Sequence, residues 1–109
     1  MAYKSYRVQI SSIAKRDAKQ YAAYVCQVKL EPQAARKWLD ELLVEISSLV
    51  KNPNRFTVVN EAKELNFPYR AFNYHSHRVV YAVLEAKKCV IVHRIWHAAR
   101  ELSAIDKDA

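Results

Sequence analysis

The residues best able to do chemistry gather near one end of the chain. The stretch CVIVHRIWHAARE, residues 89–101, carries His93, Arg94, His97 and Arg100, and Arg70 and Arg78 precede it. A histidine titrates near neutral pH and can pass a proton either way. A guanidinium grips phosphate bidentately and stabilises charge that develops as a phosphodiester is cut. Together these types describe phosphodiester cleavage, with His97 as the proton shuttle, His93 a second choice, and Arg78 and Arg100 stabilising charge. The same residues equally describe a strand that leaves a core and ends in a solvated, basic surface. Carboxylates add nothing to a catalytic reading. Glu85 falls in an expected turn, Glu101 in the tail, and no carboxylate pair has acid–base spacing.

Other chemistries are excluded more firmly. The chain has no glycine, where average usage would give about eight. Without glycine there is no P-loop, no GxGxxG turn and no GxSxG nucleophile elbow. The two cysteines, Cys26 and Cys89, read as reduced core residues. No CxxC pair is present, so neither a metal nor a cofactor is expected.

The elements that must position these residues are legible from periodicity. YRVQI, 6–10, alternates as a short strand, and Ser11 or Ser12 can cap a helix directly after it. Ala14, Ala18, Tyr21, Val25 and Val28 form one helical stripe, with Lys15, Arg16, Lys19 and Lys29 on other faces. Pro32 suits the first turn of a second helix, whose stripe is Ala35, Leu39, Leu42, Ile46 and Leu49. Asn52, Pro53 and Asn54 end it, which makes a helical hairpin. Residues 55–68 read as a loop in which RFTVVN could be a short strand. YRAFNYH, RVVYAVLE and CVIVHRIWH are three strands, broken at His75–His77 and Glu85–Lys88, hence an antiparallel meander. AARELSAIDKDA is expected to be a short helix or a tail.

The fold class is therefore α+β in the order β-α-α-β-β-β(-α), a small antiparallel sheet on a helical hairpin, in one domain over residues 1–109. One sheet face packs on the hairpin; the other is expected to be largely uncovered. Strict alternation along the last strand would put Cys89, Ile91, His93, Ile95 and His97 on one side and Val90, Val92, Arg94 and Trp96 on the other. Arg70, Arg78, Arg94, His97 and Arg100 are then expected to converge on the uncovered face. Trp38 and Trp96 read as core or interface residues rather than a base-stacking platform. Eighteen basic against eleven acidic residues leave a net charge of +7, which draws the chain toward anionic partners. No apolar run approaches the roughly 20 residues of a membrane span, and residues 1–10 lack a signal-peptide pattern, so a cytoplasmic location is expected.

The chain resembles the RelE/ParE superfamily of type II toxin–antitoxin toxins. VQISSIAKRDAKQYAAYV is similar to that family's opening strand and helix, and PQAARKWLDELLVEISSLVKNP to its second helix. HRVVYAVLEAKKCVIVHRIWHAAR resembles its closing hairpin, with Arg78 and Tyr81 as its Arg–x–x–Tyr and His97 and Arg100 as its His–x–x–Arg. The resemblance implies a growth-inhibiting toxin neutralised by a cognate antitoxin. It also divides the function. RelE-like members cleave mRNA on the ribosome, whereas ParE-like members act against DNA gyrase. The ending RIWHAARE is more similar to the ParE branch; no tyrosine follows His97, as one does in several nuclease members, and Ala98 and Ala99 depart from the glycine common after this histidine. The expectation is a ParE-like inhibitor of DNA gyrase, with a ribosome-dependent mRNA endoribonuclease as the alternative and a non-toxic nucleic-acid-binding module third. Residues expected to meet target or antitoxin are Arg70, Arg78, Tyr81, Arg94, Trp96, His97 and Arg100.

Overall fold

The computed structural model describes residues 6–59 and 68–97. β1 (Arg7–Ile10) leads into α1 (Ser12–Gln27) and α2 (Pro32–Ser47). Two short 3-10 turns come next, Ser48–Val50 and Pro53–Arg55. The chain then runs through β2 (Arg70–Tyr74), β3 (His77–Leu84) and β4 (Cys89–His97). The expected C-terminal helix or tail, the site residue Arg100, and residues 60–67 of the expected loop lie outside the described residues.

Both helices begin where the sequence places them. Ser11 caps α1: its Oγ accepts from the Ala14 amide at 3.0 Å and donates to the His93 carbonyl at 2.9 Å. One hydroxyl thus starts a helix and fastens it to β4. Pro32 occupies the first turn of α2, where a missing amide hydrogen costs nothing. With no glycine available, the left-handed turn positions fall to Leu30, Asn52, His75 and Lys88. Such positions cost a non-glycine residue on the order of 1 kcal/mol, least for asparagine.

The sheet order is β1-β4-β3-β2. β2, β3 and β4 form the expected antiparallel meander, but β1 pairs with β4 in parallel, from Arg7 opposite Cys89 to Ile10 opposite Val92. The sheet is therefore mixed. Alternation within β1 carries no direction, and the intervening helical hairpin supplies the long crossover that a parallel pair requires.

Strict alternation fails once. Val80 pairs with Arg94 and Tyr81 with Val92, so His93 is an extra residue, a β-bulge in β4. Beyond it the faces reverse. Val90, Val92 and Ile95 all enter the core against the helices, while Trp96 packs on the other side with Val80 and Val59.

The main core joins Ala14 and Ala18 of α1 and Leu42 and Ile46 of α2 to Phe72, Tyr74, Val79, Tyr81, Val90, Val92 and Ile95. Each fully buried Leu, Ile or Phe contributes about 1.5–3 kcal/mol over its exposed state. Leu39 is only partly buried, and Val28 is 66% exposed, so the α1 stripe ends a turn early. The far face of the sheet is not bare as expected. Val59, Val80 and Trp96 form a second buried cluster there, flanked by Tyr69 and Ala71.

Candidate functional site

The bulge decides where the predicted site residues go. Because His77 pairs with His97 and Arg78 with Trp96, the two rings of the first pair share the helix side of the sheet. The His77 and His97 centroids lie 5.4 Å apart, edge to face. His77 also meets Tyr21 at 4.2 Å and Trp38 at 5.0 Å. His97 is exposed at the rim of this aromatic group, and His77 is buried within it. Burial pushes the His77 pKa down to about 4; the neighbouring His97 and His75 add to this, and Asp17 opposes it. His77 therefore stays neutral at physiological pH.

Arg78 points to the opposite face. It reaches the open edge of β2, where it lines a depression of about 470 Å³ with Glu45, Phe56, Thr57, Ala71, Phe72 and Asn73. Its Nε is buried there without a hydrogen-bond partner among the described residues. A phosphate could reach this guanidinium, but not together with the His97 ring.

The remaining candidates have architectural contacts. Arg94 is not on an open surface. Its Nε donates to Asp17 Oδ2 at 2.9 Å and its Nη2 to Asp17 Oδ1 at 3.2 Å. The Ile95 amide donates to the same carboxylate at 3.0 Å, and both side chains of the ion pair are more than nine-tenths buried. The Arg94 guanidinium also lies 4.6 Å from the Trp96 ring, which is itself buried. Arg70 spends its Nη1 on the carbonyls of Phe56 at 2.6 Å and Asn54 at 3.3 Å, bracing the loop after α2. Tyr81 is fully buried and donates to the Pro53 carbonyl. His93, at the bulge, has its pKa lowered by burial and then by Arg94, and its ring faces Tyr69 at 5.2 Å. Expected convergence of Arg70, Arg78, Arg94 and His97 on one face is thus corrected: Arg94 is buried against Asp17, Arg70 is held by loop carbonyls, and Arg78 and His97 lie on opposite faces of the sheet.

Two residues outside the predicted set organise this end of the sheet. Asp17 was visible in the sequence: it lies three residues after Ala14 and four before Tyr21, an acid on an apolar stripe. An acid there needs a buried cation, which Arg94 supplies. His77 was visible as the residue that alternates with Val79 and Tyr81 on the core side of β3.

Residues 8–102 match the family described as the ParE toxin of the type II toxin–antitoxin system parDE. The chain belongs to this family. The ParE family assignment agrees with the fold, which is that of RelE/ParE toxins. The chain is similar to a structure from the chromosomal ParDE system of P. aeruginosa, at 16% identity and a TM-score of 0.64, over 86% of this chain and 97% of that one. It is also similar to a chain of the RelBE2 toxin–antitoxin complex from Mycobacterium tuberculosis, at 20% identity and a TM-score of 0.59, over 91% and 98%. A chain of the E. coli RelBE complex resembles it at 21% identity and a TM-score of 0.50, over 88% and 100%. No curated protein sequence matches it. The chain is thus a type II toxin of the RelE/ParE superfamily. Among its described residues no helix is long and apolar enough to cross a membrane.

Proposed function

We propose that this ParE-family toxin inhibits growth by binding DNA gyrase, rather than by cutting mRNA on the ribosome. The observation that carries this reading is the cross-strand pairing of His77 with His97 and of Arg78 with Trp96. It separates the proton shuttle from Arg78, a charge-stabilising candidate among the described residues, by the thickness of the sheet. In-line cleavage needs both groups within hydrogen-bond reach of one phosphate. Arg70 and Arg94 do not fill the gap, because backbone carbonyls and Asp17 engage them. Binding needs no such convergence. His97 at one rim and Arg78 at the open edge of β2 then act as separate contact points for the target.

The second part of the proposal is a cognate antitoxin. The relatives of known structure include the toxin–antitoxin complexes named above, and this chain has the surface for such a partner. Its charge of +7 suits an acidic segment. Leu43 and Val44 on α2, with Val28 and Leu30 at the hairpin tip, are exposed apolar side chains that an amphipathic helix would cover as it folds.

A supercoiling assay with purified gyrase, run beside ribosome toeprinting, tests the mechanism. Loss of supercoiling with intact mRNA is expected, with Arg78→Glu weakening inhibition and His97→Ala leaving most of it. Cleavage at the ribosomal A site that disappears in His97→Ala, by about 10²-fold or more, would overturn the proposal.

A further inference from the structure

The two helices of the hairpin treat their charges in opposite ways. On α2 the exposed bases are neutralised locally: Arg36 lies 4.0 Å from Asp40 and Lys37 3.9 Å from Glu41, each one helical turn apart. On α1 the exposed bases Lys15, Arg16 and Lys19 have no ion-pair or hydrogen-bond partner for their side chains among the described residues. The one acid of α1, Asp17, is turned inward and committed to Arg94 and the Ile95 amide. The charged side chains on the solvent face of α1 are therefore all cationic. Its first turn contains no acidic residue, so the positive end of the helix dipole adds to the same field.

These bases border a shallow, open depression of about 430 Å³ lined by Ser12, Lys15, Arg16, Lys19, Gln20 and Ala23. The lining selects among anionic partners. Protein interfaces are built on large apolar and aromatic side chains and are depleted in lysine; the lining of this depression has no large apolar residue. Single-stranded nucleic acids are held by aromatic stacking platforms; the lining has no aromatic residue, and the exposed Tyr24 lies one turn beyond Gln20. What remains is a row of flexible cations, a hydroxyl and an amide on a rigid rod, the side-chain types that bind duplex phosphates without reading sequence. Lys15 and Lys19 are about 6 Å apart along the helix axis, so neighbouring phosphates of one strand can be engaged together.

We propose that the α1 face formed by Lys15, Arg16 and Lys19 grips the phosphate backbone of double-stranded DNA. The choice of DNA over duplex RNA rests on the gyrase reading above, since gyrase is met on its DNA. The face lies on the solvent side of α1, away from the stripe of Ala14, Ala18 and Ala22 that packs inward, so the toxin can hold DNA while Arg78 at the β2 edge meets protein.

The test uses the full chain and a 20-base-pair DNA duplex of arbitrary sequence, titrated by fluorescence anisotropy over a range of salt. The triple variant Lys15→Gln/Arg16→Gln/Lys19→Gln is compared with wild type and with Lys37→Gln, which removes a paired base from α2. Circular dichroism verifies that each variant is folded. The expected result is salt-sensitive binding by wild type and by Lys37→Gln. The triple variant should lose at least about 10-fold in affinity, and its slope of log K against log salt should flatten by roughly 2–3, as loss of three phosphate contacts requires. Equal affinity and slope for the triple variant and wild type would overturn the proposal. So would tighter binding to single-stranded DNA, to duplex RNA or to polyglutamate than to the duplex. Supercoiling assays separate the two claims: gyrase inhibition without duplex binding removes this inference alone, and duplex binding through α1 without gyrase inhibition removes the proposed function alone.

Discussion

Two carboxylates sit at opposite ends of the β3–β4 hairpin, and each gathers donors from distant parts of the chain. Asp17, toward the open end, accepts from two Arg94 nitrogens and the Ile95 amide. Glu85, at the closed end, accepts from Tyr6 Oη at 2.9 Å, Asn54 Nδ2 at 2.8 Å and Lys88 Nζ at 3.2 Å. The bonding is alike and the surroundings are not. The Asp17 side chain is 9% exposed and that of Glu85 54%. In water, competing solvent offsets most of what a charged pair gains; away from water, losing one partner strands the other. The same chemistry is thus an absolute requirement at one end and an adjustable clasp at the other.

Removing the buried acid tests this difference most severely. Asp17→Ala leaves the Arg94 guanidinium without its counter-charge and should destabilise the protein by about 3–5 kcal/mol in chemical denaturation. A loss below about 1 kcal/mol would show that Arg94 escapes to water, and the two ends would then be equivalent.

The next largest effect is a response to acid near Asp17. His77 has a folded pKa of about 4 against an ordinary 6.5. The unfolded chain therefore takes up this proton first as pH falls. Stability that is complete above pH 6.5 declines toward pH 4, by at most about 3 kcal/mol, and this group adds no further slope below that. His97, His75 and Asp17 share its field, so the control is His77→Phe, which should flatten the profile between those two pH values. An unchanged profile would place the titrating group elsewhere.

Tyr81→Phe tests a buried contact near the closed end. It deprives the Pro53 carbonyl of its donor and should cost about 1 kcal/mol, with the fold unchanged by circular dichroism. Glu85→Gln should have the smallest effect of the four, and added salt should shrink it further. Hydrogen bonds from Asn54 and Tyr6, and then Lys88, hold the Glu85 carboxyl down to about 2. Its contribution is present above the ordinary carboxylate range and fades as pH falls from about 4.5 toward 2, a window below that of His77. Thermal melts that show Glu85→Gln as damaging as Asp17→Ala would end the distinction between the two ends.

The elements were legible in the sequence because each arises from a period. The two helical stripes, Pro32 at a helix start, and the three C-terminal strands all appear in the structure within a residue or two. Direction and phase were not legible. Nothing in YRVQI distinguishes a strand parallel to β4 from an antiparallel one. The apolar pattern of CVIVHRIWH is compatible with His93 being in register or extra, and only pairing with β3 selects the bulge. That choice moves every later side chain, so the candidate site was misplaced more than the fold. The fate of each arginine was set by partners far along the chain, such as Asp17 for Arg94 and the Phe56 carbonyl for Arg70, which local spacing does not encode.

The extra residue at His93 also makes β4 a phase-shifted strand whose two halves are independent coding problems. Removal of that one residue would restore strict alternation and leave Ile95, Trp96 and His97 on the sides they now hold, because their partners in β3 do not change. A strand of this shape can therefore gain or lose one residue at the bulge without altering which side chains are shown at the sheet's end. When relatives are aligned, a one-residue gap at this position is expected to leave the histidine beyond it on the same side of the sheet.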